Sequence, residues 1–540
     1  MRKIKKSTAI WSLIIIVFFV LAFNFSYSIL FSADNAFQQM ARFMEVYKIV
    51  RSYYVESVDT EKLMTGAIQG MLEELDPHSV YIEPKKLKEI TEQFQGAYQG
   101  IGIEFIIQNK VITVVSPIAG SPSEALGLKP GDQIIKIEGK SAYGITESDV
   151  QKKLKGRKGT KVTVTIRRPG MHDPFDVTIT RDEIPIYSVM ANFIIQEKIG
   201  YIYVGRFAQK TVDEFDKAVR ELDEQGMEAL LLDLRGNAGG YLDQAFKMAD
   251  RFIDGNKKIV YTKGRIPNSN TEFLATHRAT HKKMPLIILI DKGSASASEI
   301  VAGAVQDWDR GLIVGETSFG KGLVQTQMPL KDGSALRITT ARYYTPSGRL
   351  IQRSYEDGLM DYYASVYQDD DVEEPVKDSE DKPVFYTEAG REVYGGGGIT
   401  PDIKIKHGTI TKQTTEIVFK RLFFEFGSQY ATKHSHLKNN FDSFKDNFFV
   451  DKPILQNFKS FIESKDVSLA DKDFKKDLKY IKLMIKAEIA RNLWSSRQYY
   501  QVRISGDKMV QGALQHFGKA AKVAGLNWVS DKRASNDRKL

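Results

Sequence analysis

The sequence predicts a multidomain chain that mixes α/β and α+β parts, and three observations carry that reading. Its 540 residues exceed what one domain holds, at roughly 100–200 residues each. With 42% hydrophobic and 27% charged residues, the composition is that of globular protein rather than of a disordered, collagenous or multispan membrane chain. The texture also changes along the chain. Helical spacing gives way to short β-branched runs, then to buried strands alternating with helices, then to lysine-rich helices.

The first segment, residues 1–32, reads as a signal peptide or an uncleaved anchor. Arg2, Lys3, Lys5 and Lys6 precede an apolar stretch from Ala9 to Phe23 that continues to Phe31. Ser26-Tyr27-Ser28 is a passable cleavage site, while Thr8 to Phe31 is long enough to cross a bilayer as a single span. Either way the chain is expected to be exported, to a periplasmic or other extracytoplasmic place, with residues 8–31 as an inner-membrane anchor if uncleaved.

Residues 33–94 read as helical, with Phe43, Tyr47 and Val50, then Leu63, Ala67, Met71 and Leu75 at helical spacing. Residues 95–182 read as β-rich, with runs at Val111–Val115, Gln133–Glu138 and Lys161–Arg167 and one helix beginning at a Thr146 cap. Over 183–407, strands at Ala229–Leu234, Leu286–Ile290 and Leu312–Val314 alternate with helices at Tyr241–Ile253 and Ser298–Trp308, which predicts parallel strand pairs. An acidic, tyrosine-rich stretch at about 353–398 reads as a loop or lid insertion. The remaining 408–540 read as a basic helical extension, with a packing stripe at Phe474, Leu478, Ile481, Ile485 and Ile489.

Charge and cysteine content narrow the function. The net charge is +9, but residues 411–540 carry +11 and the first six +4, leaving −6 for the middle. The basic balance belongs to the two ends, so with export no nucleic-acid partner is expected. A complete absence of cysteine excludes disulfide scaffolds, thiolate zinc sites and a thiol nucleophile.

Three strand-to-loop segments could carry chemistry. In Pro285 to Ile300 a buried strand ends in Ser294-Ala-Ser-Ala-Ser298, where small residues admit a substrate backbone and a helix start offers unpaired N–H groups. Ser296 is placed either as a nucleophile or as the cap of a Ser296–Glu299 capping box. In Gly315 to Gly322 the pattern GxxxxGK imitates a phosphate loop, but Gly322 stands where a Ser or Thr would hold magnesium. Lys321 is either a solvated loop lysine or, if neutral, a general base. In Asp233 to Tyr241, Gly239 and Gly240 either expose amides to an oxyanion or accommodate a turn. His277 and His281 lack the glutamate of a zinc-protease helix, and no histidine suggests a triad. No metal and no cofactor is expected.

These loops, with Leu75–Tyr81 (LDPHSVY), Thr345–Gln352 (TPSGRLIQ) and Gly397–Asp402 (GGITPD), resemble the carboxy-terminal processing or tail-specific proteases over roughly residues 35–405. The resemblance implies an α/β core of the crotonase/ClpP-like kind. It implies Ser296 as nucleophile, Lys321 as general base, Gln325 as its support, and the amides of Ala297 and Gly239 as the oxyanion hole. It also implies that 95–182 is a PDZ domain, which adds a protein C-terminus to its sheet as a strand. Gly100, Ile101, Gly102 and Ile103 then match the carboxylate loop, with Ile101, Ile103, Val150 and Leu154 as pocket walls. It further implies a PDZ arginine near the protease, Arg167 or Arg168 here, that helps sense bound substrate. The implied activity is a serine endopeptidase that reads C-terminal tails and cleaves through an acyl-enzyme. Its implied partners are proteins or peptides with apolar, unstructured C-termini. A homo-oligomer, an adaptor protein and docking through the basic extension are further expectations.

Overall fold

A computed structural model describes residues 36–276, 283–368, 382–468 and 470–528. The expected export segment, His277, His281 and the Asp369–Asp371 run lie outside them. Among the described residues no helix is long and apolar enough to cross a membrane. The chain divides into two compact units, Met1–Tyr81 and Ile82–Leu540.

The first unit contains helices over 36–53 and Thr60–Glu73. Asp59 starts the second by accepting from the Lys62 amide at 3.1 Å, as an acidic N-cap does. Phe43 of the predicted stripe is exposed among the described residues, as are its neighbours Phe37 and Met40.

The second unit opens with helix Pro84–Gln95, stopped by Gly96 in the left-handed conformation, where glycine avoids the Cβ penalty. An antiparallel sheet follows, in the order Ile103–Gln108, Val111–Pro117, Gln133–Ile137, Lys161–Arg167 and Phe175–Thr180. Alternation in the fourth strand buries Val162, Val164 and Ile166 against Ile112, Val114, Val150 and Leu154. Thr146 caps helix Glu147–Leu154, which closes this core.

A six-stranded sheet forms the centre of the α/β part. Val189–Gln196 is its antiparallel edge, followed in parallel by Ile199–Val204, Ala229–Asp233, Leu286–Ile290, Leu312–Gly315 and Ile403–Lys404. Parallel strands need both faces covered, and every residue of Ala229–Asp233 and Leu286–Ile290 is buried. Leu230, Leu232, Leu286 and Ile288 face helices Thr211–Asp223, Leu242–Ala249 and Ala297–Asp307. Leu231, Ile287 and Leu289 face the other way, onto Met509, Val510, Ala513 and Phe517.

That second face changes the picture of the C-terminal extension. Helices Leu422–Lys433, Lys452–Glu463 and Asp471–Leu493 do have their own core, around Phe423, Phe458, Ile481 and Ile485. Helices Lys508–Leu514 and Phe517–Val523, however, complete the α/β layer. Arg235, in the loop after strand Ala229–Asp233, reaches both Asp233 and Asp507 and locks the joint.

The insertion also differs from a surface loop. It contains helix Leu359–Gln368 and a hairpin of Val384–Tyr386 with Glu392–Tyr394. Tyr362, Val366 and Val393 are buried, because its aromatic residues have apolar surface to cover beside the Lys321 loop.

Candidate active site

The loop that carries Ser296 is fixed from below by its neighbouring serines. Ser294 Oγ donates to the Leu234 carbonyl and Ser298 Oγ to the Asn237 carbonyl, at 2.9 and 2.8 Å. The Ala295 amide also bonds the Asn237 carbonyl at 3.0 Å. Asp291 Oδ1 accepts from the Gly236 and Gly293 amides at 2.8 and 2.9 Å. Two strand ends are thereby stitched into one surface.

Ser296 sits above that stitching with φ 54° and ψ −108°. A non-glycine residue held at positive φ is strained and persists only where its surroundings impose it. Ser296 and Glu299 form the capping box that the sequence suggests, with Glu299 reaching back to the Ser296 amide at 2.6 Å. Among the hydrogen bonds that meet full geometric criteria, the Ser296 hydroxyl has none to the helix end, so its hold on the cap is loose.

Glu299 does more than reach back. Its side chain is fully buried, and Oε2 accepts from the amides of both Ser296 and Lys321, at 2.6 and 3.0 Å. Oε1 accepts from Ser318 Oγ and the Gly320 amide at 2.6 and 2.7 Å. Burial pushes its carboxyl above the ordinary glutamate range, against the pull of these four donors. Tyr343, also buried, donates to the Lys321 carbonyl at 2.6 Å and lies 3.2 Å from the Ser296 carbonyl. Two buried side chains thus hold the backbones of Ser296 and Lys321 together from both polar ends of the peptide.

The Lys321 loop is gripped on its other sides too. The Phe319 amide bonds the Ser294 carbonyl, and the Arg353 amide bonds the Gly320 carbonyl. Gln352, the last residue of the TPSGRLIQ run, accepts from the Gly322 amide at 2.8 Å. Tyr362 of the insertion meets the Phe319 ring edge-on at 5.6 Å. Lys321 Nζ donates to Gln325 Oε1 at 3.0 Å, near the start of strand Leu323–Pro329.

Gly239 lies against the Ser296 loop at φ 97°, and a Cβ built there would come 2.9 Å from the Ala297 nitrogen and 2.8 Å from the Ala295 oxygen. Only glycine fits this approach. Its amide donates to Asn237 Oδ1 at 2.9 Å. Ala297 occupies the first helical position, where the helix itself provides no acceptor for the N–H.

In the β domain, Gly102 takes φ 81°, and a Cβ there would meet Ser121 Cβ at 2.2 Å. The Ile101 carbonyl accepts from Ser123 Oγ at 2.7 Å, and the Gly102 carbonyl from Ser121 Oγ at 2.9 Å. Across a trans peptide each pinned carbonyl directs the next amide, that of Gly102 or Ile103, the opposite way, and the amides of Ile101 and Gly102 donate to no other backbone among the described residues. Ile101, Ile103 and Leu154 line an adjoining cavity of about 300 Å³. Val150 is fully buried in the core beneath and does not line it. Arg168 is bound inside the domain, to both Asp132 oxygens at 2.7 Å and to the Gly127 carbonyl, while Arg167 reaches Gln133.

Sequence reasoning missed the second role of Glu299, and it missed Tyr343 and Tyr362 altogether. The capping pattern pointed to Glu299, but nothing local signals that a helix glutamate also bonds a loop twenty residues away. Tyr343 and Tyr362 lie in stretches that read simply as strand and insertion.

The description "Peptidase family S41" matches residues 198–359, "PDZ domain" residues 113–168, and "Activating protease CtpB N-terminal domain" residues 29–86. A family of unknown function matches residues 414–495. A carboxy-terminal-processing protease of Bartonella bacilliformis is 41% identical over 349 residues, which are 62% of this chain and 80% of that one. The carboxy-terminal processing protease CtpB of Bacillus subtilis is 39% identical over 318 residues, 58% of this chain and 66% of its own. CtpA of the same organism is 35% identical over 346 residues, 63% and 73% respectively. The chain belongs to the carboxy-terminal processing proteases, serine peptidases of family S41 that carry a PDZ domain.

Proposed function

We propose that the chain is an exported endopeptidase that takes protein C-termini into its PDZ domain and cleaves them with a Ser296–Lys321 dyad. The observation that carries this reading is the single Glu299 oxygen shared by the amides of Ser296 and Lys321. Such sharing holds the backbones of the two residues side by side, which supports reading them as a nucleophile and its base.

In this reading neutral Lys321 takes the Ser296 proton as Oγ attacks the scissile carbonyl. The oxyanion faces the Ala297 and Gly239 amides. Lys321 then protonates the leaving amine, and water, activated by the same lysine, hydrolyses the acyl-enzyme. Gln325 holds Nζ while it is protonated and keeps its direction when it is not. Gly239 contributes its N–H only if it shares that proton with Asn237 Oδ1. The tail itself is held by strand addition along Ile103–Gln108, its carboxylate at the Ile101 and Gly102 amides and its last apolar side chain between Ile101, Ile103 and Leu154. A cleft of about 1250 Å³ shares Glu92, Tyr98 and Lys155 with that cavity and continues to Gln209 and Lys210 of the α/β part.

Residues 1–32 serve as leader or single-span anchor in this proposal, 33–94 as the helical N-terminal region, 95–182 as the PDZ domain, 183–407 as the protease core and 408–540 as the extension. A homo-oligomer or an adaptor would act through the surfaces outside the core.

The test incubates the purified full chain with an unfolded protein ending in small apolar residues, beside Ser296→Ala and Lys321→Ala. Cleavage by the wild type alone, unaffected by a chelator, is expected. Equal cleavage by all three proteins would refute the dyad, and no cleavage by any of them, with tails still bound, would favour a binding-only scaffold.

A further inference from the structure

The groove beside the carboxylate loop contains a charge pair that strand addition does not require. Lys155 follows helix Glu147–Leu154 directly, and its Cα would lie 3.5 Å from a Cβ built on Gly100. Its Nζ pairs with Glu92 at 2.5 Å and stands 4.9 Å from the centre of the Tyr98 ring. Glu92 comes from helix Pro84–Gln95, outside the β domain. Both side chains line the 300 Å³ cavity with Ile101, Ile103 and Leu154. They are 33% and 19% exposed, respectively, so water screens the pair only in part.

The charges around the cavity are lopsided. Among the described residues Lys155 is the one cation lining it, against Glu89, Glu92 and Glu104. Glu89 is paired with Lys86, so a terminal carboxylate arriving at the Ile101 and Gly102 amides would face Glu92 and Glu104 while the cavity's one cation, among the described residues, remains paired with Glu92. Backbone amides supply hydrogen bonds but no full charge, and a free carboxylate near two others is disfavoured without a cation.

We propose that Lys155 is a second ligand of the substrate's terminal carboxylate and that Glu92 is its built-in competitor. Tail binding then exchanges the Glu92–Lys155 pair for a carboxylate–Lys155 pair. The inference rests on the tail-reading role proposed above for this groove. One ion pair replaces another, so the net gain is small and the discrimination is large. A tail with a blocked C-terminus has no charge with which to displace Glu92, and an internal peptide segment has none either.

The test measures binding of a fluorescein-labelled peptide with an apolar, free C-terminus, and of the same peptide amidated, to the full chain carrying Ser296→Ala. Lys155→Met is expected to weaken the free acid about tenfold and leave the amide unchanged. Glu92→Gln is expected to tighten the free acid about threefold or more. If Lys155→Met keeps the full preference for the free acid, or Glu92→Gln fails to tighten it, the inference is wrong while tail reading stands. If neither peptide binds even the parent chain, the tail-reading role falls and the inference with it.

Discussion

Glu299 is where the Ser296 and Lys321 loops meet. A glutamine there would turn one acceptor into a donor facing amides that also donate, so the two backbones would separate. Glu299→Gln should lower kcat/KM about 100-fold, the scale of a misplacement near 1 Å, read from steady-state cleavage. The same residue links stability to pH. Burial makes the folded chain hold its proton more tightly than the unfolded chain does. Its contribution is therefore complete below the ordinary glutamate pKa and is lost as pH rises through the raised folded value. Urea midpoints of wild type and Glu299→Gln, compared from pH 4 to 8, should show the wild type's advantage shrinking as pH rises. Gly239→Ala combines a positive φ with a clash on the Ala297 nitrogen. It should abolish cleavage and cost about 1–3 kcal/mol, seen as a lowered thermal midpoint.

At the scale of elements, the insertion helix Leu359–Gln368 works as a wall of the Lys321 loop. Tyr362 is almost fully buried, with its hydroxyl 3.5 Å from Gln352 and its ring edge-on to Phe319. Its ring matters more than its oxygen, since 3.5 Å is a weak hydrogen bond. Tyr362→Phe should therefore be close to neutral, whereas Tyr362→Ala should lower kcat with KM nearly unchanged, because the loop it supports holds the proposed base rather than the tail. The acidic run and the tyrosines marked this stretch in the sequence as an insertion, but did not show this packing. Aromatic residues spaced for a helix look the same whether they cover a loop or face water. Strands Leu286–Ile290 and Ala229–Asp233 were legible for the opposite reason, since short continuous apolar runs followed by a glycine-bearing loop fit a strand buried on both faces.

Across the whole molecule, the C-terminal helices are part of the enzyme's foundation. Phe517 is 2% exposed against the sheet face that also takes Leu231, Ile287 and Leu289. Phe517→Ala should cost about 3–5 kcal/mol and lower the unfolding midpoint of the α/β part, as differential scanning calorimetry would record. If the extension were a separable arm, the protease transition would not move. Strand composition alone said that both faces of a parallel sheet must be covered. It did not say that the cover arrives from the far end of the chain.

The sequence by itself determined the order of the elements, the family, and which serine, lysine and glycines to watch, because short motifs and hydrophobic period are local properties. Only the tertiary structure decided that Glu299 and Tyr343 hold two loops at once, that Glu92 shields Lys155, and that helices near residue 510 complete the core. Each of those depends on groups separated along the chain meeting in space, and local pattern has no way of recording such a meeting.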